Sequence, residues 1–448
     1  MIRNVTIVGA GFAGTLQAIN LLRHDGPRAT LIERSSVPGT GLAYGAAHPG
    51  HVLNVRAANM SAFPDDPGHF VRWLEANGRP DAGSAFVERV TYGVYLRGLL
   101  DEACRRAGDR LTVVRGEVVD VANDDGAVVT LADGTRLHSD AAVLAVGNLP
   151  PHDPPGLDAA TLSDRYRRDP WSGVSDGLGT DDVVLLIGTG LTMIDVALML
   201  EARGFAGRIV ALSRRGLLPR RHEGHLAPQD RINERPVTTA SALLASVRER
   251  AAAIGWRHAV DELRPFTQAM WGSASVAERS RFLRHLRPWW DVHRHRLAPS
   301  VAERLAAMQA RGFLTVVAGK TIAFAEQAEG IALDWRPRGS DRPERLVAQR
   351  AINCTGPLGD LHRTTEPLLQ RLVARGTIRA DIARLGIDVD GVARTIAADD
   401  ASNDWLYALG PMTRGAFWEI VAVPDIRTQT WSLARRLANA QWVGGEGL

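Results

Sequence analysis

The segment Gly9-Ala-Gly11-Phe-Ala-Gly14 carries the most specific chemistry in the chain. Glycines at this spacing suit a backbone turn that holds a pyrophosphate. Gly9 permits the tight turn, Gly11 lets a phosphate approach the backbone, and Gly14 lets a helix lie close on a strand. Residues 5–8 are an apolar run that reads as a strand, and residues 15–23 read as a helix. Residues 29–32 read as a second strand, ending at Glu33, nineteen positions beyond Gly14. The N–H groups and partial positive charge of a helix start favour an anion there. A carboxylate at position 33 suits ribose hydroxyls. Together these features predict a dinucleotide-binding βαβ unit.

A second strand–turn–helix–strand follows apolar residues 183–187. Its turn, Gly188-Thr-Gly190-Leu-Thr-Met193, keeps two glycines and replaces the third by Met193, so helix and strand should stand slightly further apart. The next strand ends Leu212-Ser213-Arg214-Arg215, where an NAD-preferring site carries an acid. An arginine fork there pairs with a 2′-phosphate, so NADPH is expected over NADH. The alternative is that both arginines are solvated loop residues.

Those elements must be positioned by the rest of the chain. Helical patterning spans 81–108; strands are expected at 111–121 and 128–131 around Asp124-Asp-Gly126, and at 141–146. Pro150-Pro-His-Asp-Pro-Pro155 is too proline-rich for regular structure. Helices rich in Arg, Ala and Leu follow over about 238–310, then short strands at 314–317, 321–324 and 331–335. Three apolar strands end in glycine, at Gly147, Gly356 and Gly410. Such strand ends can face a cofactor that a side chain would strike. Their order resembles that of two-dinucleotide flavoproteins, which implies an α/β protein with two Rossmann-like dinucleotide-binding domains, the NADPH domain inserted into a split FAD domain. The expected division is 1–175 (FAD, first part), 176–350 (NADPH, with the helical segment) and 351–448 (FAD, second part).

Composition narrows the function classes. The 448 residues carry a net charge of +3, with 45% hydrophobic and 23% charged residues, which fits a globular protein rather than a disordered one. Of 53 basic residues only Lys320 is a lysine, leaving 52 arginines and making lysine Schiff-base chemistry a poor fit. A near-neutral total without basic runs argues against a nucleic-acid surface. Cys104 and Cys354 lie 250 positions apart, which gives no CxxC pair and excludes a dithiol reductase or an iron–sulfur protein. No secretory leader is evident, and the most membrane-like stretch, 183–200, contains Gly188, Gly190 and Asp195. A cytoplasmic protein without nucleic-acid or membrane partners is expected.

Five segments give the chain a resemblance over nearly its whole length to bacterial FAD/NAD(P)-binding proteins akin to class B flavin monooxygenases. They are the first glycine turn, Asn54-Val-Arg-Ala-Ala-Asn-Met-Ser61 with Phe63-Pro-Asp65, Gly188-Thr-Gly-Leu-Thr-Met-Ile-Asp195, Trp290-Asp-Val-His-Arg-His-Arg296, and Gly410-Pro-Met-Thr-Arg-Gly-Ala-Phe-Trp-Glu419. Related members include amino-acid N-hydroxylases and an FAD-dependent urate hydroxylase. No FxGxxxHxxxW-type signature of Baeyer–Villiger enzymes is present. The resemblance implies FAD, NADPH and molecular oxygen. It further implies a monooxygenase that hydroxylates a small polar or nitrogen-containing substrate through a flavin C4a-hydroperoxide. The alternatives are an NADPH oxidase or flavin dehydrogenase, and a non-catalytic flavin-bound redox sensor.

The residues expected at FAD are Gly9, Gly11, Phe12, Ala13, Gly14, Glu33, Arg34, Gly41, Tyr44, Asn54, Met60, Ser61, Val118, Gly147, Gly356, Gly410, Phe417 and Trp418. Those expected at NADPH are Gly188, Gly190, Leu191, Thr192, Arg214 and Arg215. The small-residue loop 39–45 should bring backbone near the flavin or its pyrophosphate, and residues 53–61 should run along the isoalloxazine ring. His293, Arg294 and His295, with Arg296 beside them, are the catalytic candidates, for contact with substrate or NADPH; the alternative is structural salt bridging. Consecutive helical positions diverge, so they cannot all face one way. Arg56, Arg220, Arg221 and His222 are weaker candidates. His-x-His lacks the convergence a metal needs, so no metal is expected.

Overall fold

The computed structural model describes residues 2–223, 232 and 234–439. Its strands in chain order are β1 (Asn4–Val8), β2 (Arg28–Glu33), β3 (Leu111–Arg115), β4 (Val118–Asn123), β5 (Ala127–Leu131), β6 (Arg136–Ser139), β7 (Ala141–Leu144) and β8 (Tyr166–Arg167). They continue as β9 (Val183–Ile187), β10 (Arg208–Ser213), β11 (Leu314–Gln327), β12 (Gly330–Pro337), β13 (Glu344–Ala348), β14 (Arg350–Asn353), β15 (Arg394–Ile396) and β16 (Ser402–Ala408).

Two compact units emerge. The first is drawn from Met1–Ala47, Val55–Leu149 and Gly359–Leu448. Its six-stranded sheet has the order β15-β16-β7-β1-β2-β3, parallel except for β15, and a separate antiparallel sheet is β4-β5-β6. Continuous apolar runs suit strands covered on both faces. Val5, Ile7, Leu31 and Val143 are buried in one core with Leu21 of the helix Phe12–Arg23 and Leu433 of the helix Val423–Leu437. Each fully buried side chain of this size contributes about 1.5–3 kcal/mol.

The second unit comprises His48–Asn54 and Pro150–Leu358. Its sheet runs β13-β12-β11-β10-β9-β14-β8, with β11, β12 and β13 an antiparallel meander and the rest parallel. The helical segment has its own small core of Val247, Ala251, Ala259, Val260 and Leu263, with Trp290 packed on it.

The expected α/β architecture with two Rossmann-like units is the one observed, and its partition differs from the expected one in three places. Residues 48–54 belong to the second unit, as do 150–175 and 351–358. Strand pairing is the reason: β14 lies parallel between β9 and β8, and Asn353 binds the Tyr166 hydroxyl at 3.1 Å. The two short strands expected at 314–317 and 321–324 are one long strand, irregular between Thr321 and Ala323. The helix expected from residue 81 begins at Arg89.

Candidate functional site

The first turn is set by backbone geometry. Gly9 has φ +101°, and its N–H donates to Ile32 O at 2.9 Å. A Cβ there would lie 2.6 Å from Ala145 O, at the end of β7, and one on Gly14 would lie 1.8 Å from Gly9 O. Neither glycine can be replaced without moving backbone. Gly11 caps the helix Phe12–Arg23 with no side-chain hydrogen bond and no acid in the first turn. The helix start is therefore open to an anion. The loop 39–45 approaches as expected: Gly39 N–H donates to Ala10 O at 2.8 Å, and a Cβ on Gly41 would lie 2.9 Å from Gly11 Cα. Glu33 accepts from Ala10 N–H and from Ser35 N–H, both at 2.8 Å, one on each oxygen. A carboxylate has about four acceptor positions, so capacity for ribose hydroxyls remains.

An aromatic wall stands beside this turn. Tyr44 packs against Tyr92 at 4.8 Å and meets Phe12 edge-on at 6.4 Å. Burial pushes the Tyr44 and Tyr92 hydroxyls well above their ordinary pKa. The Tyr92 hydroxyl is buried with no hydrogen-bond partner. Arg427 donates through Nη1 to Ser61 O at 2.8 Å, while its Nε is buried and unpartnered. Buried donors left in this state usually have a ligand or water to meet. An open helix start, a glycine without an obstructing Cβ, an acid at the end of β2 and these two donors fit FAD.

Arg427 was not foreseen. The signal was present: helical spacing puts it on the buried stripe of Val423, Ile426, Thr430, Leu433 and Leu437. A cation on an apolar stripe is a departure that periodicity reveals.

Other expected FAD residues are placed as follows. Gly147 has φ +71° with nothing within 4 Å of where a Cβ would stand. Gly410 has φ +75° and lies against Ala13. Met60 and Trp418 are buried, and Phe417 packs on the core around β1. Val118 is buried at the start of β4. Arg34 pairs with Glu366 at 2.9 Å. Ser61 uses its hydroxyl inside its own loop, donating to Asp66 O at 2.6 Å. Glu419, buried, has φ +68°, a conformation costing a non-glycine residue about 1–3 kcal/mol and concentrated at functional positions.

Two expected FAD residues lie in the second unit instead. Asn54 belongs with residues 48–53, and its carbonyl accepts from His222 Nε2 at 2.9 Å. His51 fixes the same segment, accepting from His48 N–H and donating through Nε2 to Asp195 O at 2.9 Å. Gly356 follows β14, which pairs with β9.

The second turn repeats the backbone arrangement of the first up to its second glycine. Gly188 has φ +118°, and its N–H donates to Leu212 O at 2.8 Å. A Cβ on Gly188 would lie 2.3 Å from Cys354 O, as one on Gly9 would strike Ala145 O. Gly356 therefore stands two residues beyond the Cys354 carbonyl, just as Gly147 stands two beyond Ala145, and both have positive φ with open space around them. Gly190 caps the helix Leu191–Ala202 with φ −85° and ψ −167°, close to the −74° and −167° of Gly11. Leu191 and Thr192 open that helix, half-buried. Met193 is fully buried. Ser213 occupies the register place of Glu33, and its hydroxyl bonds Thr189 at 2.9 Å and accepts from Gly216 N–H at 3.0 Å. Exposed Arg214 and half-buried Arg215 come next.

The basic run 293–296 divides as the helical geometry requires. Arg296 is buried, donating to Asp261 at 2.8 Å, to His293 O at 2.6 Å and to Arg257 O at 2.7 Å. His295 faces Asp291 at 3.9 Å. Arg294 ends its helix, and His293 stacks on Trp256 at 5.7 Å. Arg221 pairs with Glu303, and Arg56 donates to Ser84 O at 2.7 Å. Among the described residues no group of three or more His, Cys, Asp or Glu side chains is placed to hold a metal. Cys104 and Cys354 are both free thiols.

Residues 6–149 match a family model described as FAD-NAD(P)-binding. A search of curated protein sequences gave no match. Solved structures resemble nearly the whole chain. The reduced form of ornithine hydroxylase from Pseudomonas aeruginosa aligns at TM-score 0.67 and 16% identity, over 98% of this chain and 99% of that one. An ornithine N-hydroxylase from Kutzneria, solved with reduced FAD, NADP+ and L-ornithine, aligns at 0.65 and 14%, over 98% and 100%. The FAD-bound cadaverine monooxygenase of desferrioxamine biosynthesis from Erwinia amylovora aligns at 0.69 and 12%, over 98% and 95%. The N-terminal segment is thus similar to FAD-NAD(P)-binding domains, and the fold of the whole chain is like that of these hydroxylases.

Proposed function

We propose that the protein is an FAD-dependent, NADPH-using monooxygenase that hydroxylates a small polar, nitrogen-containing substrate with molecular oxygen. The observation that carries this reading is the pair of matched turns, one followed by Glu33 and the other by Ser213-Arg214-Arg215. FAD belongs with the first unit and NADPH with the second. The similarity in fold to N-hydroxylating flavoproteins supports the reaction type, and their substrates, ornithine and cadaverine, suggest a primary amine.

Bound FAD supplies acceptance of hydride and activation of oxygen. The protein supplies position and dryness. The helix start at Gly11 receives the FAD pyrophosphate, and Glu33 accepts from a ribose hydroxyl. The Tyr92 hydroxyl and Arg427 Nε donate to polar atoms of the cofactor. The aromatic wall of Phe12, Tyr44 and Tyr92 excludes water from that side. On the second unit, the helix start at Gly190 receives the NADPH pyrophosphate, and Arg214 and Arg215 hold the 2′-phosphate. A soluble, cytoplasmic setting goes with this reading; no described helix is long and apolar enough to cross a membrane.

The test is to follow NADPH consumption, peroxide release and product with each of a panel of diamines and amino acids. Substrate-dependent consumption with hydroxylated product supports the proposal. Full conversion of consumed NADPH to peroxide with every substrate indicates an oxidase. Failure of both nucleotides to reduce bound flavin indicates a sensor.

A further inference from the structure

The helical segment of the second unit gathers arginines around His293. The chain at Arg220 lies against the end of the helix Arg287–Arg294. Arg220 N–H donates to Val292 O at 2.9 Å, and Leu297 N–H donates to Arg220 O at 2.8 Å. Arg296, 6% exposed, holds the arrangement from behind with its three bonds to Asp261, His293 O and Arg257 O. Arg257 ion-pairs with Glu223 through Nη1, while its Nε is buried and has no partner. His293 Nδ1 is likewise buried and has no partner. The exposed Arg220 side chain forms no ion pair among the described residues. Trp256, 42% exposed, offers an indole face beside the His293 ring, the two being nearly parallel at 22°.

We propose that Arg220, Arg257 and His293 form a binding site for an oxyanion, carboxylate or phosphate, carried by a small molecule whose flat or apolar part lies on Trp256. Neighbouring cations repel one another, and buried donors without acceptors are costly, so the arrangement is unfavourable in two ways. An oxyanion relieves both. Its oxygens can take Arg257 Nε–H, the fork of Arg220 and the Nδ1–H of a neutral His293. Glu223 engages Arg257 through Nη1 and leaves its Nε unpaired. Burial and the charges of Arg220, Arg296 and Arg257 push the His293 pKa down, which favours a neutral ring as donor. The site uses none of the residues assigned to the two dinucleotides and is independent of the flavin reading.

The test is histidine side-chain NMR on the full chain, with excess NADP+ present to occupy the dinucleotide phosphate contacts. Acetate and inorganic phosphate are titrated separately at constant ionic strength. The His293 signals are identified by their loss in His293→Asn, and exposed His138 is the reference. The expected result is a saturable shift of His293 alone, weakened at least about tenfold in Arg220→Gln and in Arg257→Gln. The tighter of the two anions identifies carboxylate or phosphate as the natural group. A shift that grows linearly with concentration, that His138 shares equally, or that Arg220→Gln leaves unchanged overturns the proposal. Arg220 is exposed, so its substitution leaves the fold intact and the test remains decisive if Arg257→Gln does not fold.

Discussion

The two dinucleotide turns are built alike up to the third position of their motifs and differ from there on. Gly9 and Gly188 share positive φ, the same bond to the neighbouring strand and the same collision with a carbonyl if a Cβ is added. Gly14 then permits the helix to lie on Gly9 O, whereas Met193 fills the corresponding place with a buried side chain. The helix start is slightly looser for it: Ile194 N–H reaches Gly190 O at 3.3 Å, against 3.0 Å for Thr15 N–H to Gly11 O. At the end of the second strand, Glu33 gives way to Ser213 with two arginines behind it. On the proposed function the backbone would make both pyrophosphate sites, while one side-chain position would select between a ribose hydroxyl and a ribose phosphate.

Substitution at the third position should separate the two most strongly. Gly14→Ala puts a methyl 1.8 Å from Gly9 O, so the purified protein should lose most of its flavin absorbance. Met193→Ala opens a cavity instead and should lower stability in urea by about 2–5 kcal/mol, with the turn retained. Next comes the selecting position. Arg214→Ala should reduce the efficiency of flavin reduction by NADPH, leaving NADH little changed. A lost charge-assisted bond of about 1.5–3 kcal/mol corresponds to about tenfold or more. Ser213→Asp places a carboxylate where Glu33 stands in the first turn and should shift the preference further toward NADH. A smaller effect is expected of Glu33→Gln, whose single amide oxygen keeps only one of the two backbone hydrogen bonds and which removes the charge. It should speed flavin release during dialysis by about tenfold or less.

The smallest effect concerns acid stability. Burial opposes ionisation of Asp120, but the Arg375 guanidinium at 2.9 and 3.0 Å outweighs it and holds the carboxyl below its ordinary range. A depressed carboxyl contributes stability above the unfolded pKa, lost as pH falls through the folded one. Asp120→Asn should therefore flatten the acid limb of the first unit's unfolding curve and leave that of the second unit unchanged.

Much of this contrast was legible in the sequence, because turn glycines and strand-end charges act locally. Gly9, Gly14 and Gly188 each have a backbone task that spacing alone identifies, and helix starts do not depend on distant partners. Gly356 shows where such reading stops. Its strand resembles the one ending at Gly147, yet which sheet receives a strand is decided by pairing, and β14 pairs with β9. Asn54 went the same way, since its carbonyl is held by His222, 168 positions distant. The basic run 293–296 hid a division of labour for a similar reason. Arg296 is a buried anchor because Asp261 and Arg257 come to it from another helix, and no local pattern announces that.

The central claim is that one chain carries FAD at the Glu33 turn and NADPH at the Arg214 turn. Anaerobic flavin reduction by NADPH and by NADH, compared as kcat/KM on the wild-type protein, tests it most directly. NADPH should be the better reductant by at least about tenfold, the share expected of the 2′-phosphate contact. Equal or greater efficiency with NADH would contradict the account.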